Sequence, residues 1–298
     1  MTDPLSQVVE LMRPRAVFSK GISGAGAWAV RYGEFGHPGF CAVIEGGCRL
    51  AVDGEEPVVL QQGDFVLLPA TPAFTMSSFT PARPVFIDPK TSPAPPEEVR
   101  HGRTDGPPDV RLFGGYFVFD SPDAALLVSL LPAMIHIRGV DRLTALVRFV
   151  GEETGTERAG SDLVLTRLVE LMLIEALRAV DDEHAPAGLL RGLADANVAV
   201  ALRGMHARPE RSWTVAELAG EAGMSRSAFF ERFTRKVGLR PMEYLLGWRM
   251  ALAKDLLRGR KVALDEVARR TGYGSASTFS IAFSRHVGQP PGRYARLA

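Results

Sequence analysis

The 298-residue chain has only two cysteines, Cys41 and Cys48, which excludes a disulfide framework. No Gly-rich phosphate loop, zinc signature or nucleophile–base–acid set is readable, so the sequence calls for no cofactor and no enzyme chemistry. Long apolar runs are also missing. The longest, residues 124–137, is broken by Ser129, Pro132 and His136 and is too short to span a bilayer. Met1 to Leu11 carries Asp3, Pro4 and Glu10 and lacks the apolar core of a secretory leader. These absences predict a soluble, cytoplasmic protein. The length predicts two domains, each with an ample core.

Net charge is almost absent too, at +1, but the total hides an asymmetry. Residues 209–298 hold 16 of the 35 Lys and Arg and 8 of the 34 Asp and Glu, a balance of +8. The remaining residues keep 19 basic and 26 acidic side chains, or −7. A basic module joined to an acidic one is the electrostatic footprint of a nucleic-acid binder attached to something else.

That basic module contains a repeat. Slid by 50 positions, Ser225 falls on Ser275, Phe229 on Phe279, Phe233 on Phe283, Gly238 on Gly288, Pro241 on Pro291 and Tyr244 on Tyr294. Upstream the offset is 49, pairing Ala219 with Ala268 and Gly223 with Gly272. Each copy reads as helix, glycine turn, helix. Thr214-x-x-Glu217 is a capping box, Gly223 and Gly272 suit left-handed C-caps, and Ser225 and Ser275 suit N-caps. The phenylalanine pairs share one helix face at i, i+4. This is the helix-turn-helix pattern, whose second helix enters a DNA major groove.

The segment resembles the DNA-binding domain of the AraC/XylS regulators. The resemblance rests on Trp213-Thr214-Val215-x-x-Leu218-Ala219, Gly223-Met224-Ser225, Gly238-x-x-Pro241, Gly272-Tyr273, Phe279-x-x-x-Phe283 and Gly288-x-x-Pro291-x-x-Tyr294, and covers about 195–298. It implies two helix-turn-helix units joined by one long helix, with recognition helices at 225–236 and 275–286 entering adjacent major grooves of promoter or operator DNA. RNA polymerase is a further implied partner. The family's base-contacting positions fall on Ser227, Phe230 and Glu231 in the first copy. In the second they fall on Ala276, Ser277, Ser280 and Ile281. Arg226, Arg232 and Arg235, with Arg285 and Arg293, are candidates for phosphate contacts, which give affinity without sequence information. Ile281 departs from the family, which often places a long polar side chain there. Asp195 to Ala207 reads as the module's first helix. Pro241 leads into a helix over 242–258, with Leu245, Trp248, Leu252 and Leu256 packing between the two units.

From Arg13 to about Ile137 the pattern is strand-like. Cys48, Leu50 and Val52 alternate with Arg49, Ala51 and Asp53; Asp53-Gly54 offers a hairpin turn, and Val58 to Leu60 resumes. Phe65 to Leu68, Val85 to Ile87 and Tyr116 to Phe119 are further strands. Short strands with Gly and Pro turns suggest a barrel or jelly roll. Phe40 to Gly46, followed by Gly63-Asp64-x-x-x-x-Pro69, resembles a cupin sensor domain of the kind fused to AraC-like modules. Metal-binding cupins would place ligands at Gly39, Cys41, Glu45 and Phe74. Only Glu45 is kept, His37 is out of register, and no metal is expected. Trp28, Phe40, Cys41, Phe65, Phe74 and Phe86 are candidates for a small-molecule effector pocket; the same residues filling a core is the open alternative.

Lys90 to Asp109, rich in Pro, Gly and charge, reads as a long loop. Asp141 to Glu153 and Ser161 to Val180 read as helices. The second has a wide apolar face of Val164, Leu165, Leu168, Leu171, Met172, Ile174 and Leu177, suited to the barrel or to a twin helix in a homodimer. Asp181 to Pro186 reads as an interdomain linker. The expected fold is α+β: a cupin-like β domain at 1–139, a helical dimerisation region and linker at 140–186, and an all-α tandem helix-turn-helix domain at 187–298. The expected function is effector-controlled transcriptional regulation. Two alternatives stay open: a metal-dependent cupin enzyme, and a DNA binder whose N-terminal half only dimerises.

Overall fold

The computed structural model of the chain describes residues 3–91, 98–121, 128, 131–154, 158–179, 187–258 and 262–297. Packing divides these into two units. One is Arg13–Asp120 with Pro132–Val180; the other is Met1–Met12, Ser121–Leu131 and Asp181–Ala298. The first helix, α1 (Pro4–Met12), therefore belongs with the C-terminal helices. Asp3 starts it by accepting from the amides of Leu5 and Ser6. Pro4 sits where a missing amide costs nothing, and Leu5, Val8, Val9 and Met12 form its buried face.

The first unit is a curled sheet of ten strands: β1 (Pro14–Ala25), β2 (Ala29–Tyr32), β3 (Gly39–Val52), β4 (Val58–Gln61), β5 (Phe65–Leu68), β6 (Phe74–Ser77), β7 (Val85–Ile87), β8 (Val99–Gly102), β9 (Val110–Phe119) and β10 (Ile135–Ile137). The long β3 organises it. Its first half pairs with β5 and β9, and its second half with β4 and β6. The bend lies where the register slips between Val43 and Glu45. Gly46 follows with φ of 70°, and a Cβ there would lie 1.9 Å from the Asp109 carbonyl oxygen. Only glycine fits so close an approach. Alternation holds along β3: Cys48, Leu50 and Val52 are buried with Val30, Leu60, Val66, Met76 and Leu112 in one core. The expected Asp53-Gly54 turn is present, with Gly54 at φ 88°. The region read as a loop over 90–109 contains β8, whose Val99–Gly102 pairs in parallel with Ile22–Ala25. Its edge position gives it little apolar signal.

Two helices, α2 (Asp141–Thr154) and α3 (Ser161–Arg178), pack on each other and on β1. The wide apolar face of α3 resolves into two. Val169, Met172, Leu173, Ala176 and Leu177 are buried, whereas Leu163, Val164 and Leu171 are exposed. Residues 181–186, read as a linker, lie outside the described residues.

The second unit adds α4 (Leu189–Ala194), α5 (Ala196–Ala207), α6 (Val215–Glu221), α7 (Arg226–Val237), α8 (Pro241–Arg258), α9 (Leu264–Arg270), α10 (Ala276–Val287) and α11 (Pro291–Leu297). The 18 residues of α8 span about 27 Å. Leu245 and Trp248 are buried on it as expected, but Leu252 and Leu256 are only half-buried. Met250, Ala253 and Leu257 take their place against Val267, Phe279 and Phe283. The buried face of α8 rotates along its length because it serves a different helix-turn-helix at each end.

Candidate nucleic-acid interface and interior cavity

The first helix-turn-helix is α6 and α7. The amide of Thr214 donates to Glu217 Oε2 at 2.8 Å, and the amide of Glu217 donates to Thr214 Oγ1 at 3.1 Å, closing the capping box. Gly223 turns the chain at φ 66°, Ser225 caps α7, and Gly238 ends it at φ 81°. Phe229, Phe233 and Val237 are buried, so the opposite face is fixed outward. That face carries Arg226, Ser227, Phe230, Glu231 and Arg235, all exposed, with Phe230 at 39%.

Arg232 is placed differently. Its Nε donates to Asp195 Oδ2 at 2.8 Å, and Lys236 Nζ lies 4.0 Å from the same oxygen. Asp195 is buried and caps α5 by accepting from the Asn197 and Val198 amides. Burial pushes its carboxyl upward, but the Arg232 guanidinium and those amides outweigh it and hold the group below the usual range. Arg232 thus ties the recognition helix to α5. The sequence places Asp195 at the start of α5 but does not reveal its tie to Arg232, because the two residues are far apart along the chain.

The second helix-turn-helix is α9 and α10. Ser275 caps α10 by accepting from the Thr278 amide at 3.2 Å, and Gly288 ends it at φ 81°. Gly272 is obligatory: at φ 79° a Cβ would sit 2.9 Å from the Glu210 carbonyl oxygen. Unlike Thr214, Ala263 gives α9 no side-chain cap. Phe279 and Phe283 are buried; Ser277, Ile281, Arg285 and Arg293 are exposed, and Ala276 and Ser280 are half-buried. Ile281 stands 70% exposed. The Ser280 hydroxyl donates to the Ala276 carbonyl at 2.7 Å, so its hydrogen is already used within the helix.

The β unit holds a partly open cavity of about 350 Å³. Apolar and aromatic side chains dominate its wall, among them Phe35, Phe40, Leu50, Phe74, Met76 and Tyr116. Its polar side-chain groups are Lys20, the Tyr32 and Tyr116 hydroxyls, Thr71 and the Cys41 thiol. Tyr32 stacks on Phe74 with centroids 4.9 Å apart. Burial pushes the Tyr32 hydroxyl up to about 12, the Cys48 thiol up to about 12, and the Cys41 thiol higher still. Neither cysteine has the depressed pKa of a reactive thiol. Thr71 holds φ of 36°, unusual for a β-branched residue, and its hydroxyl donates to the Leu68 carbonyl at 3.2 Å.

A Cupin family model matches residues 3–182, and a Helix-turn-helix domain model matches residues 218–297. A putative AraC-like transcription regulator of Streptomyces lividans is 38% identical over 299 residues, covering 98% of this chain and 97% of the relative. The chain belongs to the AraC-like transcription regulators. A second such regulator, of Streptomyces antibioticus, is also 38% identical, over 98% of both chains. Among solved structures, the DNA-binding domain of AdpA in complex with a target DNA matches 35% of this chain and 92% of that chain, at 31% identity and a TM-score of 0.32.

The regulator is therefore a DNA-binding protein with a cupin N-terminal region, and its fold is the expected α+β one. No helix among the described residues is long and apolar enough to cross a membrane. The four cupin ligand positions do not suit a metal ion. A Cβ at Gly39 would lie 2.8 Å from Thr71 Oγ1, the Cys41 thiol is held protonated, and Phe74 stacks on Tyr32. Glu45 lies beyond the register slip, exposed and ion-paired with Arg111 at 3.2 Å. Of the pocket candidates, the structure brings Phe40, Cys41 and Phe74 to the cavity. Trp28 is buried and stacks on His101, Phe65 is buried outside the lining, and Phe86 is 66% exposed on the short edge strand β7. Lys20, Tyr32, Thr71 and Tyr116 were not read as lining residues. For Lys20 the available signal was its period-2 spacing to Ile22 on β1, which puts both on the inner face.

Proposed function

We propose that this regulator binds operator DNA through both recognition helices and that occupancy of the β-unit cavity by a small molecule controls that binding. The observation that carries the DNA part is the pair of capped helices whose phenylalanines are buried inward, leaving Ser227, Phe230 and Glu231 on one and Ser277 and Ile281 on the other facing out. Phe230 meets a thymine methyl and Glu231 accepts from cytosine N4. The second helix, with Ala276, Ser277, Ser280 and Ile281, reads methyl groups and DNA shape more than hydrogen-bond patterns. Arg226, Arg235, Arg285 and Arg293 hold phosphates. Arg232 contributes chiefly by fixing the first recognition helix to Asp195.

In this reading the β part of 1–139 is the sensor, with α1 belonging to the helical unit, residues 140–186 dimerise and connect, and 187–298 bind DNA. The protein acts in the cytoplasm as a homodimer, without catalysis, and presents RNA polymerase with a promoter-bound surface. Exposed Leu163, Val164 and Leu171 on α3, with Phe149 on α2, support the dimer, since apolar side chains on one face of a surface helix favour a partner.

The test is a footprint of the purified full-length protein on DNA upstream of its own and neighbouring genes, at two salt concentrations. The expected result is paired protection about one helical turn, about 34 Å, apart that weakens steeply with salt. A single protected patch would remove the second helix from the reading.

A further inference from the structure

The composition of the cavity wall narrows what it accepts. Among the described residues no carboxylate lines it, and Lys20 is the one basic side chain in its wall. Lys20 already has an interaction partner within the protein. Burial already disfavours charge at this wall, pushing the Lys20 ammonium below its usual value, and a charged ligand would lose hydration against the same apolar side chains. The hydroxyl groups differ in their commitments. Thr71 Oγ1 already donates to Leu68, Tyr116 already has an interaction partner within the protein, and the Tyr32 hydroxyl has no hydrogen-bond partner among the described residues. Stacking on Phe74 fixes the Tyr32 ring in the wall. Size follows from the volume: an apolar cavity of about 150 Å³ holds one benzene, so about 350 Å³ holds roughly a dozen non-hydrogen atoms.

We propose that the cavity takes an uncharged, largely apolar molecule of roughly a dozen non-hydrogen atoms, whose one polar group hydrogen-bonds the Tyr32 hydroxyl. The inference rests on the sensor reading above and names the ligand class for that site. The upward displacement of both the Tyr32 hydroxyl and the Cys41 thiol agrees with it, because the same burial that disfavours their anions disfavours a charged ligand.

The test uses full-length protein and matched probes with one body and three head groups: 1-decanol, decanoate and decylammonium, then 2-naphthol, 2-naphthoate and 2-naphthylmethylammonium. Binding is read by thermal shift and by calorimetry, with naphthalene as a probe that has no polar atom. The neutral probes are expected to bind at least about tenfold more tightly than either charged partner. Tyr32→Phe is expected to weaken 2-naphthol by roughly three- to tenfold and to leave naphthalene unchanged. Tighter binding of decanoate or 2-naphthoate than of the alcohols overturns the neutral class and leaves the sensor reading standing. Failure of every probe on folded protein overturns the sensor reading itself. Equal weakening of naphthalene and 2-naphthol by Tyr32→Phe overturns the hydrogen bond, because it reports lost packing alone.

Discussion

His206 makes the stability of the helical unit depend on pH. It is 2% exposed, stacked on Trp248 with centroids 3.9 Å apart. Its Nδ1 lies 2.9 Å from Gln7 Oε1 and its Nε2 lies 2.7 Å from the Tyr244 hydroxyl. A neutral ring donating from Nδ1 to Gln7 accepts at Nε2 from Tyr244, so both nitrogens are satisfied without a charge, and it is burial that disfavours the imidazolium. Burial pushes its pKa down to about 3. In the unfolded chain the value is about 6.5. Between those values the unfolded state binds the extra proton, so stability falls as pH falls. The contribution is fully present above about pH 6.5 and declines by about 1.4 kcal/mol per pH unit below it. From pH 7.5 to pH 5 the loss is about 2 kcal/mol. Urea melts followed by tryptophan fluorescence measure it, with His206→Gln as the reference that cannot titrate. The expected result is a steeper fall in wild type over pH 6.5–5. Superimposable pH profiles for the two proteins would refute a buried neutral imidazole.

Three further outcomes follow from the recognition surface and α3. Phe230→Ala should cost about 1–3 kcal/mol at one or two base pairs, measured on a panel of singly substituted operators; a uniform loss on all DNA would deny it a base-reading role. Arg226→Ala should weaken all sequences alike and reduce the slope of log affinity against log salt by about 0.9, so an unchanged slope removes the phosphate contact. Leu163→Glu should convert the dimer to monomer by light scattering and weaken binding to a two-site operator; a wild-type protein that is already monomeric would end the dimer reading.

The C-terminal unit was legible because its signals are local. Caps, glycine turns and i, i+4 phenylalanines each act within a few residues, and the repeat states them twice. What escaped is long-range or lies at edges. Asp195 and Arg232 meet only in the folded unit, β8 is an edge strand inside a Pro- and Gly-rich stretch, and Phe86 follows a strand pattern yet faces solvent. The cavity was half legible. Alternation identified an inner face, but which inner residues leave space and which fill it depends on packing across strands. The helix α1 is absent from the sequence reading although its signature is complete: Asp3, Pro4, and Leu5, Val8, Val9 and Met12 at helical spacing.

The place of α1 has a consequence for how the protein is made. Gln7 and His206 are 199 residues apart. A ribosome adding about 5–20 residues per second needs roughly 10–40 s to bridge that interval. During that time the apolar side of α1 has emerged and its docking site has not, while the β unit can complete itself. The DNA-binding unit is thus finished from both ends of the message. A fragment starting at 187, the natural choice for expressing that unit alone, would omit Gln7 and strip the cover from His206. Such a fragment is expected to be less soluble and less stable than the same fragment supplied with a peptide of residues 1–12.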